Sequence, residues 1–277
     1  MKSEIIRYPN GWLWLTLPIA ILLIIAAGSG AFITGVYRDN PYFAAQAIGQ
    51  DRISFFVVFP TLVISAILAS RGSLHGWIIW LGAIVYLVYT YTVAAFEVRF
   101  NSLFLVNVAL LGCSLYALTG SLVTVNMNQI KTCFTKHTPI KAVVIYLTIL
   151  AILFYFLWLS EIIPALMAGR IPQSIQDNGT PTNAIHVLDM AWILPAFCIT
   201  AVNLWRRQPL GYTLAGALLS YAVFLTAAIL GMAVFMIREG FPVPAPQAAI
   251  FATLLAFSLG MLIWYMKNLE SPHIRKE

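Results

Sequence analysis

Long apolar stretches separated by short polar segments fill the chain from about residue 12 to residue 266. Eight of these stretches are long enough to cross a membrane as helices. Their apolar residues run without the every-second-position alternation of a barrel strand. The pattern therefore predicts an all-α integral membrane protein with eight transmembrane helices.

Proline, glycine and charged residues mark the ends of the predicted helices. The first is expected to be a retained span, because its apolar run exceeds the h-region of a signal peptide. The polar segment 38–52 is predicted to be a loop, and Pro-Thr-Asn at 181–183 to begin the sixth helix. The eight predicted helices are 12–37, 53–70, 76–96, 102–125, 142–168, 181–207, 210–237 and 247–266.

Composition agrees with a membrane location. Hydrophobic residues make up 61% of the chain and charged residues 9%, against about 25% charged in a soluble domain. The net charge of +6 would suit a nucleic-acid partner in a soluble protein, but here the basic residues lie in loops. The lipid bilayer is thus the expected partner, and no nucleic acid is expected. The oligomeric state is left open.

Basic loop residues predict the orientation. Of the 16 Lys and Arg residues, eleven lie on the side of the predicted bundle that carries both termini. Because positively charged loops stay in the cytoplasm, both termini are predicted to be cytoplasmic. The polar residues at the starts of the second and sixth helices would then lie toward the outer face.

A shift of 135 residues aligns the second and third predicted helices with the sixth and seventh. It places Pro60 on Pro195 and Arg71 on Arg206. We therefore predict two parallel four-helix repeats in one membrane domain, residues 1–130 and 131–277. Parallel repeats of this kind occur in transporters, which bind their substrates between the halves.

Three ionisable residues form the predicted reactive site. His186 and Asp189 are three apart near the start of the sixth helix, so they share a face. Glu161 lies one turn before Pro164 in the fifth helix. These side chains suit metal ligation, a proton relay, or a base with an orienting carboxylate. Local capping by Asp189 and an interfacial pairing of Glu161 are the structural alternatives, and the presence of a metal stays unknown.

Four further residues are predicted to bind substrate. The 135-residue shift sets Asp51 opposite His186 and Ser54 opposite Asp189, so these four could meet at the outer mouth. Glu97 and Asn101 belong to a charged corner after the third helix, where an ion pair with a neighbouring residue is the alternative. The tyrosines of the third helix are predicted to serve packing. No cofactor is assigned, since no retinal lysine, haem-ligating histidine pair or nucleotide motif is present.

Three stretches resemble a family of uncharacterised bacterial multi-pass membrane proteins. They read RGSLHGWIIWLGAIVYLVYTY, FNSLFLVNVALLG and PTNAIHVLDMAWILPA. The resemblance implies a bacterial cytoplasmic (inner) membrane. It implies no activity, substrate or cofactor.

Three functions remain open at this point. A small-molecule or ion transporter would use the repeat and the carboxylates. An intramembrane enzyme acting on a lipid-like substrate at the outer face would use His186 as base, Asp189 as its orienter and Glu161 as acid. A non-catalytic sensor or assembly subunit would need none of this chemistry.

Overall fold

The structure, a computed structural model, describes residues 10–270. In this part of the chain, eight helices are long and apolar enough to cross a membrane. They are α1 (Gly11–Phe32), α2 (Pro41–Ser70), α3 (Leu74–Phe96), α4 (Phe104–Thr124), α5 (Ile140–Met167), α6 (Ala184–Trp205), α7 (Pro209–Arg238) and α8 (Ala245–Met266). Two short helices, Met127–Thr132 and Gln173–Asn178, lie in the connections before α5 and α6. The predicted all-α multi-pass membrane fold is confirmed.

The prediction of a loop at 38–52 is wrong for most of that segment, because α2 begins at Pro41. Asn40 caps this helix through its Oδ1, which accepts a hydrogen bond from the Phe43 amide at 2.8 Å. Pro41 occupies the first turn, where its missing N–H has no consequence. The segment is polar, yet it packs into the protein: Gly49 lies against the backbone of Gly231 on α7.

Both α2 and α6 contain one π-helical turn, at Ser54–Val58 and Asp189–Ile193. Each turn is followed by a proline, Pro60 in α2 and Pro195 in α6. Proline clashes with the carbonyl four residues earlier, and one extra residue in the turn relieves that clash. Irregular backbone at membrane depth is tolerated where it lies inside the protein or lines a cavity. The two turns therefore mark the interior positions of α2 and α6.

The core is built around α3 and α7. Of the 23 residues of α3, 16 are buried, whereas α8 buries only 3 of its 22. The two central helices approach closely at Gly82, where an added Cβ would collide with Ser220 and the Ala217 backbone. The peripheral helices expose large apolar side chains, including Trp14, Phe156 and Leu166. Such a surface suits the acyl chains of a bilayer.

Several backbone features recur at the 135-residue spacing. A shift of 135 residues places one π-turn on the other. It also places the end of α2 at Ser70 on the end of α6 at Trp205, and the start of α3 at Leu74 on the start of α7 at Pro209. Gly72 and Arg207, which follow α2 and α6, both adopt positive φ, 88° and 54°. These coincidences support the repeat, but the division at residue 130 stays a prediction. The predicted orientation also stays a prediction, and four of its basic residues, Lys2, Arg7, Arg275 and Lys276, lie outside the described residues.

Candidate functional site

Asp189 lies in the π-turn of α6 and is buried between α3, α5 and α6. The Tyr89 hydroxyl donates to its Oδ1 at 3.0 Å. The Trp158 indole donates to its Oδ2 at 2.8 Å. Both donors are neutral, and among residues 10–270 no lysine or arginine forms an ion pair with this carboxylate. Asp189 is thus held by hydrogen bonds without a counter-charge.

His186 lies one turn earlier on the same helix and is 4% exposed. Its ring packs against Trp158, with 4.6 Å between the ring centroids. Its Nε2 is 4.0 Å from Glu161 Oε2, which is too long for a hydrogen bond. Glu161 is more exposed, and its Oε1 accepts from the Ser174 amide at 2.8 Å. The connection between α5 and α6 therefore holds Glu161 beside the imidazole.

The structure brings the three predicted reactive residues into one cluster, with a different pairing from the one expected. His186 and Asp189 form no hydrogen bond with each other in the described chain, because Tyr89 and Trp158 take the Asp189 oxygens. The carboxylate next to the imidazole is Glu161. The geometry therefore favours Glu161 rather than Asp189 as the partner that would orient His186.

Asp51 is the buried carboxylate of the first half and lies one turn before the π-turn of α2. It accepts a hydrogen bond from the Tyr37 hydroxyl. Gly30 of α1 makes room for this pair, since a Cβ at that position would collide with both side chains. Burial, and then the nearby Asp51 carboxylate, raise the pKa of Tyr37. Tyr37 thus stays protonated and serves as a donor to the carboxylate.

A cavity of about 50 Å³ adjoins Asp51, and we call it the Asp51 cavity. Asp51 is the single charged residue in its wall. Its polar lining consists of Tyr37, Gln46, Gln50, Asp51, Thr90, Tyr91, Asn107 and Asn178. The Tyr91 hydroxyl has no hydrogen-bond partner among the described residues, and the whole residue is only 2% exposed. Buried hydroxyls are rarely left unpaired, so this one points to an occupant.

The prediction that Ser54 and Asp189 meet at an outer mouth would require contact between them. Within the described residues, these two side chains share no hydrogen bond. Ser54 hydrogen-bonds the Tyr86 hydroxyl at 2.8 Å, one turn from the tyrosine that binds Asp189. The rings of Tyr86 and Phe224 pack at 6.1 Å, and those of Tyr89 and Tyr221 at 5.7 Å. The two polar groups are thus joined through aromatic residues at the interface of α3 and α7.

Glu97 and Asn101 hold helix ends. Glu97 Oε2 accepts from the Ala184 amide at 3.2 Å and thereby caps α6. Burial raises the pKa of Glu97 to about 7. The expected alternative, an ion pair within the corner, is absent from the described chain, where the Arg99 amide binds Asp39 instead. Asn101 Oδ1 accepts from the Leu103 amide at 2.8 Å at the start of α4.

A larger cavity of about 520 Å³ shares Tyr37 with the Asp51 cavity, and we call it the vestibule. Its charged lining residues are Arg52 and Glu239. The Arg52 guanidinium lies over the Phe235 ring, 4.7 Å from its centroid, and its Nε has no hydrogen-bond partner within residues 10–270. The vestibule therefore offers a cation beside a cavity of small-molecule size.

Sequence reasoning missed the donors that surround the carboxylates. Tyr89 and Tyr91 were assigned to packing, and Tyr37, Arg52 and Trp158 were given no site role. The available signal was the spacing of Tyr86 and Tyr89 on one face of α3, the helix that is buried most completely. Polar hydroxyls in such a helix require partners.

The described residues contain no group of three or more His, Cys, Asp or Glu side chains that could hold a metal ion. Comparison of the chain with protein-family models, curated proteins and solved structures finds no match. Function is therefore inferred from the geometry of the side chains.

Proposed function

We propose that the protein is a transporter of a small molecule or ion, coupled to a proton or a monovalent cation. The observation that carries this proposal is the placement of Asp51 and Asp189 inside membrane-spanning helices, where each binds only neutral donors. We further propose that it works in a bacterial cytoplasmic membrane with both termini inside, as the loop charges and the family resemblance predict.

A charged carboxylate at membrane depth is costly unless something compensates its charge. Asp51 and Asp189 lack a lysine or arginine partner within residues 10–270. Each must therefore take up a proton or a cation to become neutral. Reversible neutralisation of a buried carboxylate is the chemistry by which a transporter couples an ion gradient to a solute.

The irregular helices support movement around these sites. The π-turns of α2 and α6 contain or adjoin both carboxylates, and a proline follows each turn. Interrupted helices of this kind line the binding sites of secondary transporters, which rock one half against the other. Asp51 and Asp189 thus lie where a change in helix packing would alter their access to water.

The vestibule supports a solute of small-molecule size. Its volume of about 520 Å³ falls in the range of small-molecule pockets. The Arg52 guanidinium has an unpaired Nε and would attract an anionic group. A small organic anion is therefore the first solute class to test.

The test uses purified protein in liposomes and a panel of radiolabelled small organic anions. We expect the wild type to accumulate at least one of them under an inward gradient of protons or Na⁺. Asp51→Asn and Asp189→Asn should each lose accumulation under at least one of the two gradients while retaining exchange of solute at equal concentrations. Wild-type liposomes that transport no solute of the panel, or variants that accumulate like the wild type, would contradict the proposal.

The intramembrane enzyme is the second candidate, favoured by the approach of Glu161 to His186. This pair would supply a base and its orienting carboxylate near the predicted outer face. The measurement is a comparison of lipid extracts from cells that contain the wild type or His186→Gln. A lipid species that changes with the wild type alone would favour the enzyme over the transporter.

A further inference from the structure

We propose that the Asp51 cavity binds one small monovalent cation, of the Na⁺ class, through protein oxygen atoms. This deepens the proposed function by naming the coupling ion, and it rests on that function for the role of the ion. Binding itself depends only on the cavity and can be measured without transport.

Charge balance supports a single positive charge. Asp51 is the one ionisable carboxylate that lines the cavity, and its other polar lining residues are phenols, amides and a hydroxyl. The adjacent Arg52 does not supply the counter-charge, since its guanidinium lies over Phe235 in the vestibule. One carboxylate among neutral oxygens is balanced by one monovalent ion.

The lining also supplies the ligands that a hard cation prefers. Small cations of this class bind carboxylate, carbonyl and hydroxyl oxygens. Gln50 donates its amide nitrogen to Thr90 Oγ1 at 3.0 Å, which leaves its carbonyl oxygen as an acceptor. Tyr37 and Asp51 add a phenol and a carboxylate.

The unpaired Tyr91 hydroxyl is an independent indication of an occupant. It lines the cavity, is enclosed by protein, and has no hydrogen-bond partner among the described residues. A buried hydroxyl without a partner is destabilising. Coordination of an ion through its oxygen lone pairs would remove that penalty.

The size of the cavity selects a small ion. A volume of about 50 Å³ holds a few water molecules, since one water needs roughly 10–15 Å³ on the same measure. It is well below the roughly 300 Å³ at which small-molecule pockets begin. A small ion with a few waters therefore fits, and an organic solute is restricted to the vestibule.

On the predicted outer side the cavity is lined by Gln46 of α2 and Asn178 of the short helix before α6. Their side chains are joined by a hydrogen bond of 3.2 Å. Asn40, which caps α2, also donates to the Asp177 carbonyl of the short helix at 2.8 Å. An ion that enters from this side would therefore pass between α2 and the short helix.

The experiment measures binding of ²²Na⁺ to purified protein in mild detergent, with choline chloride as the ionic control. Thermal unfolding is recorded in parallel, because a ligand that binds only the folded state raises its stability. We expect one saturable site per chain and a higher unfolding temperature in NaCl. Asp51→Asn should abolish both effects, and Tyr91→Phe should weaken the affinity about tenfold.

Two phenylalanine variants separate ligation from packing. Tyr265→Phe removes another buried hydroxyl, one that donates to the Tyr212 carbonyl at 2.8 Å. It should lower stability in both salts and leave Na⁺ affinity unchanged. Tyr91→Phe should be at least as stable as the wild type in choline, because it removes an unpaired buried hydroxyl, and it should lose the stabilisation that NaCl provides.

Wild-type protein that binds no Na⁺ above the choline background would overturn the proposal, as would Tyr91→Phe with unchanged affinity. Stability that responds to pH and not to Na⁺ would identify a proton-only site. That result would reject the cation site and leave a proton-coupled transporter intact. Na⁺ binding without transport of any solute would instead reject the proposed function and keep the site.

Discussion

Glu97 connects the end of α3 to the start of α6, and Glu97→Gln tests how this connection depends on pH. Its carboxylate accepts hydrogen bonds from the Ala184 amide and the Thr180 hydroxyl. Burial raises the pKa of Glu97 to about 7, with a smaller contribution from the charge of Asp39. The ordinary value for Glu is about 4.3. The folded chain therefore binds this proton more tightly than the unfolded chain.

The sign of the effect follows from this difference. The stability that protonated Glu97 contributes is fully present below about pH 4 and is lost as the pH rises through about 7. The difference of about 2.7 pKa units, at about 1.4 kcal/mol per unit, sets an upper limit of about 4 kcal/mol. Partial access to solvent reduces this to about 1–2 kcal/mol. Because Gln keeps an acceptor oxygen without a charge, the variant should be more stable than the wild type at about pH 8 by that amount.

Thermal unfolding in mild detergent between about pH 5 and pH 8 measures the difference. We expect the wild type to lose roughly 2–8 °C of unfolding temperature relative to Glu97→Gln over this range. Asp177→Asn is the control, because this exposed carboxylate lies in the short helix before α6 and accepts from Gln173. It should leave the pH dependence unchanged. A Glu97→Gln protein with the wild-type pH dependence would refute the reasoning.

Three further substitutions and one control, Gly112→Ala, test the packing around the carboxylates and the backbone strain after α6. Trp158→Phe removes the indole donor to Asp189 and should cost about 1–3 kcal/mol in the free energy of unfolding. Gly30→Ala should cost about 1–3 kcal/mol because its methyl group meets the carboxylate on α2, whereas Gly112→Ala, with open space around it, should be neutral or stabilising. Arg207→Gly should stabilise the protein by about 1 kcal/mol, because it relieves the positive φ of 54°. Thermal unfolding measures the stability of each variant. Trp158→Phe or Gly30→Ala with the stability of the wild type would contradict the packing described.

The eight helices could be predicted because each apolar run reaches the roughly 17–25 residues that a transmembrane helix needs. The start of α2 could not, since residues 41–52 carry Gln46, Gln50, Asp51 and Arg52 and look like a loop. In the structure these side chains face the Asp51 cavity and the vestibule, or bind other helices. A polar stretch can thus be helical when the protein itself provides its partners.

The candidate site was only partly accessible from the sequence. Ionisable residues in apolar helices are rare, so Asp189, His186 and Glu161 could be selected by residue type and position. Their partners could not, because Trp158 lies 31 residues from Asp189 and Tyr89 lies 100 residues away. Only the packing of α3, α5 and α6 decides that Asp189 binds these two donors instead of His186.

The surroundings of Asp51 and Asp189 argue that the two carboxylates have different roles. Asp51 borders a cavity with an unpaired hydroxyl, so it has room for an ion. Each oxygen of Asp189 instead accepts a hydrogen bond from the protein, one from Tyr89 and one from Trp158, so we assign it the uptake of a proton. We therefore expect Asp51→Asn to remove the Na⁺ dependence of solute accumulation and Asp189→Asn to remove its dependence on the proton gradient. Liposome uptake under each gradient separately measures this, and the same loss in both variants would contradict separate roles.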